Sequence, residues 1–563
     1  MKVIIVGGVA GGATAAARIR RLNEHAEITV FERSGYISYA NCGLPYYIGD
    51  VITDPEELTL QTPESFFKRF RINMKIHHEV ISIHPERKTV SVKNLENGEI
   101  FEENYDKLIL SPGAKPTQPR LPGVGMDKLF TLRTVEDTFR IKEYINKNHP
   151  KSAVLAGGGF IGLELAENLR ELGMDVTIVQ RPKQLMNPFD PDMASMIHNE
   201  MRKHGIKLVL GYTVEGFKEK DNGVEVLLKD NPSLQADMVV LAIGVTPDTV
   251  LAKEAGLELG IKESIVVNDR METSVPDIYA AGDAVQVKHY VTGNDALISL
   301  AGPANKQGRI IADNICGGDS RYLGSQGSSV IKVFDMTAAT TGINETNAKK
   351  SGLEVDTVIL SPMSHAGYYP GGKVMTMKVI FEKESYRLLG AQIIGYEGVD
   401  KRIDVLATAI HAGLNATQLK DLDLAYAPPY SSAKDPVNMA GFMIDNIAKG
   451  TLKQWHLEDM DKISKDKDVV LLDVRTVGEF SMGHIDGFKN IPVDELRERN
   501  SEIEKGKPVY LICQSGLRSY IASRILEGNG YETYNFSGGF RFYDAVVNDR
   551  ALIERAYACG MDY

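Results

Sequence analysis

Val3-Ile4-Ile5-Val6-Gly7-Gly8-Val9-Ala10-Gly11-Gly12 opens this 563-residue chain as an apolar strand followed by a glycine-rich turn. A predicted helix over 13–22 and a strand over 27–31 come next. The same plan returns at Ala153-Val154-Leu155-Ala156-Gly157-Gly158-Gly159-Phe160-Ile161-Gly162, with a predicted helix over 163–172 and a strand over 175–179. Each copy predicts the start of a parallel α/β fold, because an apolar strand passes through glycines into a helix.

The glycine turns predict where two ligands bind. Backbone amides at a helix N-terminus bind a pyrophosphate, and glycines let it approach, so two such loops predict two dinucleotide sites. The second strand of the second fold ends at Gln180-Arg181 instead of an acidic residue, which leaves NADH and NADPH equally open. The candidate contacts are Gly7, Gly8, Val9, Ala10, Gly12, Glu32 and Arg33 in the first fold, and Gly157, Gly159, Phe160, Ile161, Gly162, Glu164, Gln180, Arg181 and Gly244 in the second.

A later segment carries a family resemblance. It reads Thr273-Ser274-Val275-Pro276-Asp277-Ile278-Tyr279-Ala280-Ala281-Gly282-Asp283-Ala284. Together with the two loops, it resembles the two-dinucleotide flavoprotein disulfide reductases of the pyridine nucleotide-disulfide oxidoreductase family over residues 1 to about 445. The resemblance implies FAD in the first fold, NAD(P)H in the second and a homodimer with shared active sites. It also implies FAD contacts at Val80, Ser111, Gly113, Arg133 and Asp283.

Cysteine is scarce: the chain has Cys42, Cys316, Cys513 and Cys559. No spacing among them predicts a disulfide framework or a metal site, so single-thiol chemistry is expected. Cys42 occupies the place where the resembling family has its redox sulfur, and Tyr47 stands where many members have a second cysteine. A lone redox thiol must cycle through a mixed disulfide, a persulfide or a sulfenic acid. We interpret Cys316 and Cys559 as inert.

Among single-cysteine members, the chain resembles coenzyme A disulfide reductase. The residues that carry this resemblance are Asn41-Cys42, Tyr368-Tyr369-Pro370-Gly371 and Ala425-Tyr426-Ala427-Pro428-Pro429-Tyr430-Ser431. It implies proton donation by Tyr368 and Tyr426 of the other subunit. It also implies a coenzyme A groove at Thr14, Arg18, Arg21, Ser38, Asn41 and Lys434. Arg18, Arg20 and Arg21 form a basic cluster suited to phosphates. Phe70 replaces a groove lysine, for which the adjacent Arg71 is the candidate substitute.

The C-terminal part has its own sulfur motif, Cys513-Gln514-Ser515-Gly516-Leu517-Arg518-Ser519, at the end of a predicted strand. A cysteine there points its sulfur at backbone amides, which with Arg518 favour a thiolate or persulfide. This region resembles the rhodanese sulfurtransferases, which implies catalytic roles for Cys513 and Arg518. We interpret His484 as structural.

These observations predict an α/β fold class. It comprises two Rossmann-like FAD/NAD(P) domains, an α+β dimerisation domain and a C-terminal α/β rhodanese domain. The predicted boundaries are 1–112 with 246–324 for FAD, 113–245 for NAD(P), 325–446 for dimerisation, 447–460 for a linker and 461–563 for the rhodanese domain.

Composition narrows the class of protein. The net charge is −11, which argues against a dedicated nucleic-acid binder. The sequence contains no run of 18 or more apolar residues, so no membrane span is expected. The N-terminus has no signal-peptide pattern, so we expect a cytoplasmic protein.

We therefore predict an FAD-dependent NAD(P)H oxidoreductase that reduces coenzyme A disulfide, coenzyme A persulfide or polysulfide through Cys42, coupled to a rhodanese sulfur carrier. Two alternatives remain open. One is a flavin NADH oxidase or peroxidase, although Ala10 stands where those enzymes carry a histidine. The other is a redox-sensing flavoprotein whose rhodanese domain docks a partner.

Overall fold

The computed structural model describes residues 1–221 and 223–559, with side chains described up to residue 555. The chain forms two compact units. The first contains Met1–Lys183 and Gly205–Gly327, and the second contains Gln184–His204 and the chain from Ser328 onward.

The elements of the first 327 residues follow in chain order. Residues 1–116 contain β1 Lys2–Val6, α1 Ala10–Leu22, β2 Glu27–Phe31, α2 Leu44–Ile48, α3 Pro63–Phe70, β3 Asn73–Lys75, β4 His78–His84, β5 Thr89–Asn94, β6 Ile100–Asn104, β7 Lys107–Leu110 and β8 Ala114–Pro116. Residues 117–247 contain β9 Leu129–Thr131, α4 Val135–Asn148, β10 Ser152–Ala156, α5 Phe160–Glu171, β11 Asp175–Gln180, α6 Pro191–Lys203, β12 Lys207–Leu210, β13 Val214–Lys220, β14 Gly223–Leu228, β15 Asn231–Ala236, β16 Met238–Leu241 and β17 Val245–Pro247. Residues 248–327 contain α7 Val250–Glu254, β18 Ile278–Ala280, β19 Val287–Lys288, β20 Asp295–Ala296 and α8 Ala301–Ile315.

The remaining elements belong to the second unit. Residues 328–450 contain β21 Ser329–Val333, β22 Met336–Gly342, α9 Glu345–Lys350, β23 Val355–Leu360, β24 Met375–Glu382, β25 Leu388–Gly395, α10 Val399–His411 and α11 Pro436–Ala448. The last segment contains β26 Gln454–Trp455, α12 Met460–Ile463, β27 Val470–Asp473, α13 Val477–Met482, β28 Lys489–Asn490, α14 Leu496–Arg499, β29 Val509–Ile512, α15 Leu517–Glu527, β30 Thr533–Phe536 and α16 Gly539–Cys559.

The first unit is built on two parallel five-stranded sheets, ordered β18-β7-β1-β2-β3 and β12-β11-β10-β16-β9. Strands β1 and β10 are central and fully buried at most positions, which explains their continuous apolar sequence. Because ligands of such sheets bind beyond the carboxyl ends of the strands, both glycine loops stand at binding edges.

The second unit contains an antiparallel sheet, ordered β21-β22-β25-β24-β23. Lys378 of β24 is only 1% exposed and forms ion pairs with Asp190, Asp192 and Glu345 at 2.7 to 3.2 Å. Helix α6, from the segment predicted for the NAD(P) domain, therefore packs with this sheet in the second unit.

The C-terminal domain has a parallel sheet, ordered β26-β30-β29-β27-β28. The sequence predicted a linker over 447–460, which contains Trp455. The structure instead pairs Gln454–Trp455 with β30 and buries the indole against Phe536 and Phe488. A two-residue strand has no periodicity to mark it in the sequence, which accounts for the difference.

This domain covers the free edge of β23. The Ile359 backbone N–H donates to Ser537 Oγ at 3.0 Å, and Gln454 Nε2 donates to the Thr357 carbonyl at 2.8 Å. Asp356 on the same strand lies 3.0 Å from His456 Nε2. The C-terminal domain and the antiparallel sheet are therefore joined by side-chain hydrogen bonds to backbone groups that a sheet edge leaves unpaired.

Candidate active site

The first glycine loop is shaped by close backbone packing. Gly7 has φ +95°, and a Cβ there would lie 2.1 Å from the Ser111 carbonyl oxygen, so a side chain is excluded. Glu32, which is 8% exposed, accepts the Gly8 N–H at 2.8 Å and the Ser34 N–H at 2.9 Å. Burial raises the pKa of Glu32, and the two N–H donors oppose that shift. Each carboxylate oxygen keeps a lone pair for a ribose hydroxyl, which fits a dinucleotide.

The second glycine loop repeats this geometry with an uncharged partner. Gly157 has φ +119° and packs against the Ala242 carbonyl, while a Cβ at Gly159 would have open space around it. Gln180 Oε1 accepts the Gly158 N–H at 3.1 Å, the position that Glu32 occupies in the first fold. The Gln180 amide nitrogen can therefore donate to a ligand, and no carboxylate at this position repels a 2′-phosphate.

The other residues predicted to bind the second dinucleotide lie around the second glycine loop. Phe160 and Ile161 begin α5, Gly162 packs on the Gly157 carbonyl, and Gly244 has φ +106°. Arg181 is exposed. These placements leave the open side of the loop to the ligand.

An arginine–aspartate pair lies at the first fold. Arg133 Nη2 is 2.6 Å from Asp283 Oδ2, and a Cβ at Gly113 would lie 3.7 Å from the same guanidinium. Ser111, whose N–H donates to the Val6 carbonyl at 2.8 Å, follows β7 at the same sheet edge. The polar residues predicted to contact FAD therefore converge at this edge.

Two other predicted FAD residues have protein partners. Val80 is 4% exposed within the hydrophobic core of the first unit, so its side chain contributes packing. Arg33 Nη2 forms an ion pair with Asp248 at 2.9 Å.

Cys42 lies in a short 3-10 turn, Asn41–Gly43, immediately before α2. The residue is exposed on one side, while protein lies around the rest of the thiol. This partial burial and then the Glu164 carboxylate raise the pKa of Cys42, and Arg133 acts in the opposite direction. Tyr47 packs edge-on against Phe139 at 5.7 Å. All the described cysteines, Cys42, Cys316 and Cys513, are free thiols.

Two neighbours of Cys42 were not predicted as acid–base groups. Glu164 was expected only to contact a cofactor, but burial and then the nearby Glu167 raise its pKa to about 7. Tyr46 has a pKa raised to about 12 by burial and then by Glu164. Their carboxyl and phenol groups gain this character from α2 packing on α5, which no local sequence pattern signals.

The arginines of α1 separate into different roles. Arg20 is buried and donates to the backbone carbonyls of Phe70 and Arg71 at 2.7 and 3.0 Å. It therefore holds the chain in place, contrary to the expectation of a three-arginine phosphate cluster. Arg18 Nε pairs with Asp313 at 2.8 Å, and Arg21 is exposed.

The other predicted groove residues of the first unit are accessible or lie close to the turn that contains Cys42. Thr14 Oγ1 donates to Asn305 Oδ1 at 2.5 Å, and Ser38 adopts φ +46°. Asn41, with its amide nitrogen set toward the Arg133 carbonyl, lies 3.0 Å from that oxygen. Exposed Arg71 lies 5.2 Å from the Phe67 ring centre.

Cys316 ends α8, where burial and then Asp313 raise its pKa.

The two predicted tyrosines meet in the second unit. Tyr368 and Tyr426 are 76% and 46% exposed, and their hydroxyl oxygens lie 2.6 Å apart. The hydrogen bond between the two hydroxyls raises the pKa of Tyr426. Lys434 is also exposed.

A buried arginine that the sequence did not predict holds these loops. Arg402 is 1% exposed and donates to the carbonyl of Ser364, to Ser431 Oγ and to Asp435 Oδ2 at 2.9 to 3.1 Å. It links the loop before Tyr368 to the loop after Tyr426, because its planar donors reach several acceptors at once.

The sulfur of Cys513 is surrounded by hydrogen-bond donors. Cys513 is 1% exposed, and its Sγ accepts the Gly516 N–H and the Ser519 hydroxyl, both at 3.1 Å. Gly516 has φ +97°, which closes the loop. Donors aimed at a sulfur favour its thiolate and a bound sulfane sulfur.

Arg518 turns both terminal nitrogens to Glu479, at 2.7 Å each, and holds the pKa of that carboxyl at about 2. Glu479 of α13 thus holds Arg518, and through it the Cys513 loop, in position. The sequence did not predict this pairing between distant segments. His484, interpreted as structural, stacks on Phe480 at 4.0 Å. The side chain of Cys559 lies outside the described residues.

Among the helices that the structure describes, none combines the length and the apolar character needed to cross a membrane.

Comparisons with known proteins agree with this arrangement. Residues 1–308 match the pyridine nucleotide-disulphide oxidoreductase model, residues 328–436 match the dimerisation domain of that family, and residues 456–545 match the rhodanese-like domain. The coenzyme A disulfide reductase of Staphylococcus aureus strain JH9 is 38% identical over 442 residues, which are 78% of this chain and 99% of that protein.

Two solved structures are similar over nearly the whole chain. Reduced CoADR-RHD of Bacillus anthracis is 49% identical, with a TM-score of 0.95 and 98% of each chain covered. An NAD-dependent persulfide reductase from A. fulgidus is 39% identical, with a TM-score of 0.90, 96% of this chain and 100% of that chain covered.

Proposed function

Because the chain belongs to the pyridine nucleotide-disulphide oxidoreductase family, we propose that it reduces coenzyme A disulfide, coenzyme A persulfide or polysulfide through the single sulfur of Cys42. It is an oxidoreductase that uses FAD and a pyridine nucleotide to reduce a disulfide or persulfide. FAD, when bound, supplies a path for two electrons from the nicotinamide to a sulfur. Glu32 and the Arg133–Asp283 pair would hold it in the first fold.

The observation that carries the proposal is the lone, accessible thiol of Cys42 with Tyr47 in place of a second sulfur. The Cys42 thiolate attacks one sulfur of the substrate, and the bond between the two substrate sulfurs breaks. The second sulfur leaves as a thiolate and takes a proton. Two electrons then cleave the mixed disulfide, and a second proton completes release of the product thiol.

The tyrosine pair is the proton donor in this scheme. A leaving thiolate needs a proton or a hydrogen bond, and Tyr368 and Tyr426 present both hydroxyls at an exposed surface. Their exposure suits a role at the active site of a second subunit in a homodimer.

Charge and exposure support the proposed coenzyme A groove. Arg21 and Arg71 are exposed, and guanidinium groups bind phosphates in a fork geometry. The predicted groove is completed by Thr14, Arg18, Ser38, Asn41 and the exposed Lys434. Arg18 would exchange part of its contact with Asp313 for a phosphate.

The C-terminal domain favours a sulfane-sulfur substrate. The hydrogen-bond donors around Cys513 suit a persulfide, and a symmetrical disulfide needs no such carrier. Coenzyme A persulfide or polysulfide is therefore our preferred substrate, with Cys513 carrying sulfur to or from the flavin site.

A substrate panel tests the proposal. Oxidation of NADH and NADPH is followed with coenzyme A disulfide, coenzyme A persulfide, polysulfide, peroxide and oxygen. Wild type is compared with Cys42→Ser, Cys513→Ser and the matched control Cys316→Ser. We expect Cys42→Ser to lose reduction of every sulfur substrate and Cys316→Ser to retain it. Full activity of Cys42→Ser, or faster turnover with oxygen than with any sulfur compound, would overturn the proposal.

A further inference from the structure

The C-terminal helix α16 contacts helix α6 through a buried ion-pair cluster. Asp549 of α16 is 1% exposed, and its two carboxylate oxygens lie 2.8 Å from His198 Nδ1 and 2.5 Å from Arg202 Nη1. Asn199 Nδ2 adds a hydrogen bond to the Ala545 carbonyl at 3.1 Å. Burial opposes ionisation of Asp549, but His198 and Arg202 hold its pKa below the usual range.

The contacts of His198 define which ring nitrogen carries the proton. Its Nε2 accepts the Leu185 backbone N–H at 2.9 Å, so this nitrogen is unprotonated. The proton is therefore on Nδ1, which donates to Asp549. The imidazole, 1% exposed, is neutral and held in one tautomer and one orientation by the carboxylate.

The Leu185 amide lies in a segment with a defined position in the fold. It follows Arg181 by four residues, between β11 and α6. The segment is also closed by Gln184 Nε2, which donates to the Phe189 carbonyl at 3.0 Å. In dinucleotide folds, the end of the second strand meets the adenosine ribose, and here that end is Gln180-Arg181.

We propose that Asp549 is a positioning residue for nicotinamide-dinucleotide binding. Through His198 it fixes the Leu185 amide and thereby the conformation of the segment that leaves Gln180-Arg181. A residue of the C-terminal domain thus tunes the affinity of the reductase for its electron donor, independently of the sulfur chemistry at Cys513.

Steady-state kinetics of the full-length holoenzyme test this role. NADH or NADPH is varied with ferricyanide as the electron acceptor, so that the assay does not depend on the sulfur substrate. Asp549→Ala removes the carboxylate that accepts the Nδ1 proton and orients the His198 ring, and we expect KM for the dinucleotide to rise about three- to tenfold with kcat unchanged. Asp549→Asn, whose amide oxygen can still accept the Nδ1 proton, should restore KM to within about twofold of wild type.

Arg202→Met is the matched control, because it removes the other ion pair of Asp549 and leaves the contact from Asp549 through His198 to Leu185 intact. Its KM should equal that of wild type, as should that of Asp544→Ala, an exposed position on the same helix. An unchanged KM in Asp549→Ala, or an equal rise in Arg202→Met, would overturn the proposal.

If Asp549→Ala does not retain FAD, a second pair of variants decides the question. His198→Gln can accept from Leu185 and donate to Asp549, and should keep KM near wild type. His198→Leu can do neither and should raise KM. Equal KM values for these two variants would refute the positioning role.

Discussion

The 2.6 Å contact between the hydroxyls of Tyr368 and Tyr426 limits what the pair can donate. One hydroxyl proton is engaged by the other oxygen, so only one proton remains for a leaving thiolate. The pair should therefore act as a unit, in which one tyrosine donates to the substrate and the other orients it. Loss of the donor removes general-acid assistance, about 10²-fold or more in kcat. Loss of the orienting hydroxyl removes one hydrogen bond of about 0.5–1.5 kcal/mol, or about 2- to 12-fold.

The assay is kcat and kcat/KM for coenzyme A disulfide reduction by Tyr368→Phe, Tyr426→Phe and the double variant. We expect the double variant to be no slower than the slower single variant, because residues that act as a unit are not additive. The hydrogen bond with Tyr368 raises the pKa of Tyr426. Any basic limb that Tyr426 sets in the rate profile should therefore move to lower pH in Tyr368→Phe, which removes this bond. Tyr430→Phe, at an exposed tyrosine of the same segment, is the control. A double variant whose loss equals the product of the single losses would refute the shared-proton reasoning.

Three further outcomes follow from buried or paired charges. Gln180→Glu places a carboxylate where the amide bonds Gly158, so the ratio of kcat/KM for NADPH over NADH should fall about tenfold or more, and an unchanged ratio would contradict the assignment of this position. Because the pKa of Glu479 is lower in the folded chain than in the unfolded chain, its ionised carboxylate stabilises the fold. This stabilisation is fully present above the pKa of the unfolded chain and is lost as pH falls toward about 2. That shift corresponds to about 3 kcal/mol before solvent screening and about 1 kcal/mol after it for this one-third exposed pair, so Glu479→Gln should flatten the acid dependence of the calorimetric unfolding temperature. Lys378→Met leaves three carboxylates without their buried cation and should destabilise the chain by about 3–5 kcal/mol by calorimetry, whereas the exposed Lys383→Met should change it by less than about 0.5 kcal/mol.

Local sequence signals predicted the two nucleotide folds well. Glu32 was expected at the end of the second strand, and the structure places it on the Gly8 amide. Helices α1 and α5 begin at Ala10 and Phe160, three residues earlier than predicted, because Gly11 and Gly12 in α1 and Gly162 in α5 are already part of the helix.

The missed features all depend on partners far apart in the chain. Arg402 and Lys378 are buried charged residues whose counter-charges come from other segments, so no local pattern predicts their burial. In the sequence, Arg20 looks like a solvent-facing cation. Only the structure shows that its guanidinium donates hydrogen bonds to the backbone carbonyls of Phe70 and Arg71. The raised pKa of Glu164 likewise arises from helix packing.

The covered edge of β23 has a consequence for truncation and for assembly. Removing the chain after residue 446 would take away Ser537 and Gln454, and the Ile359 N–H and Thr357 carbonyl would then face solvent on an open strand. Such an edge is a template for intermolecular strand pairing. In this chain the rhodanese-like domain shields that edge, so deleting the domain would expose β23 to non-native strand pairing between molecules.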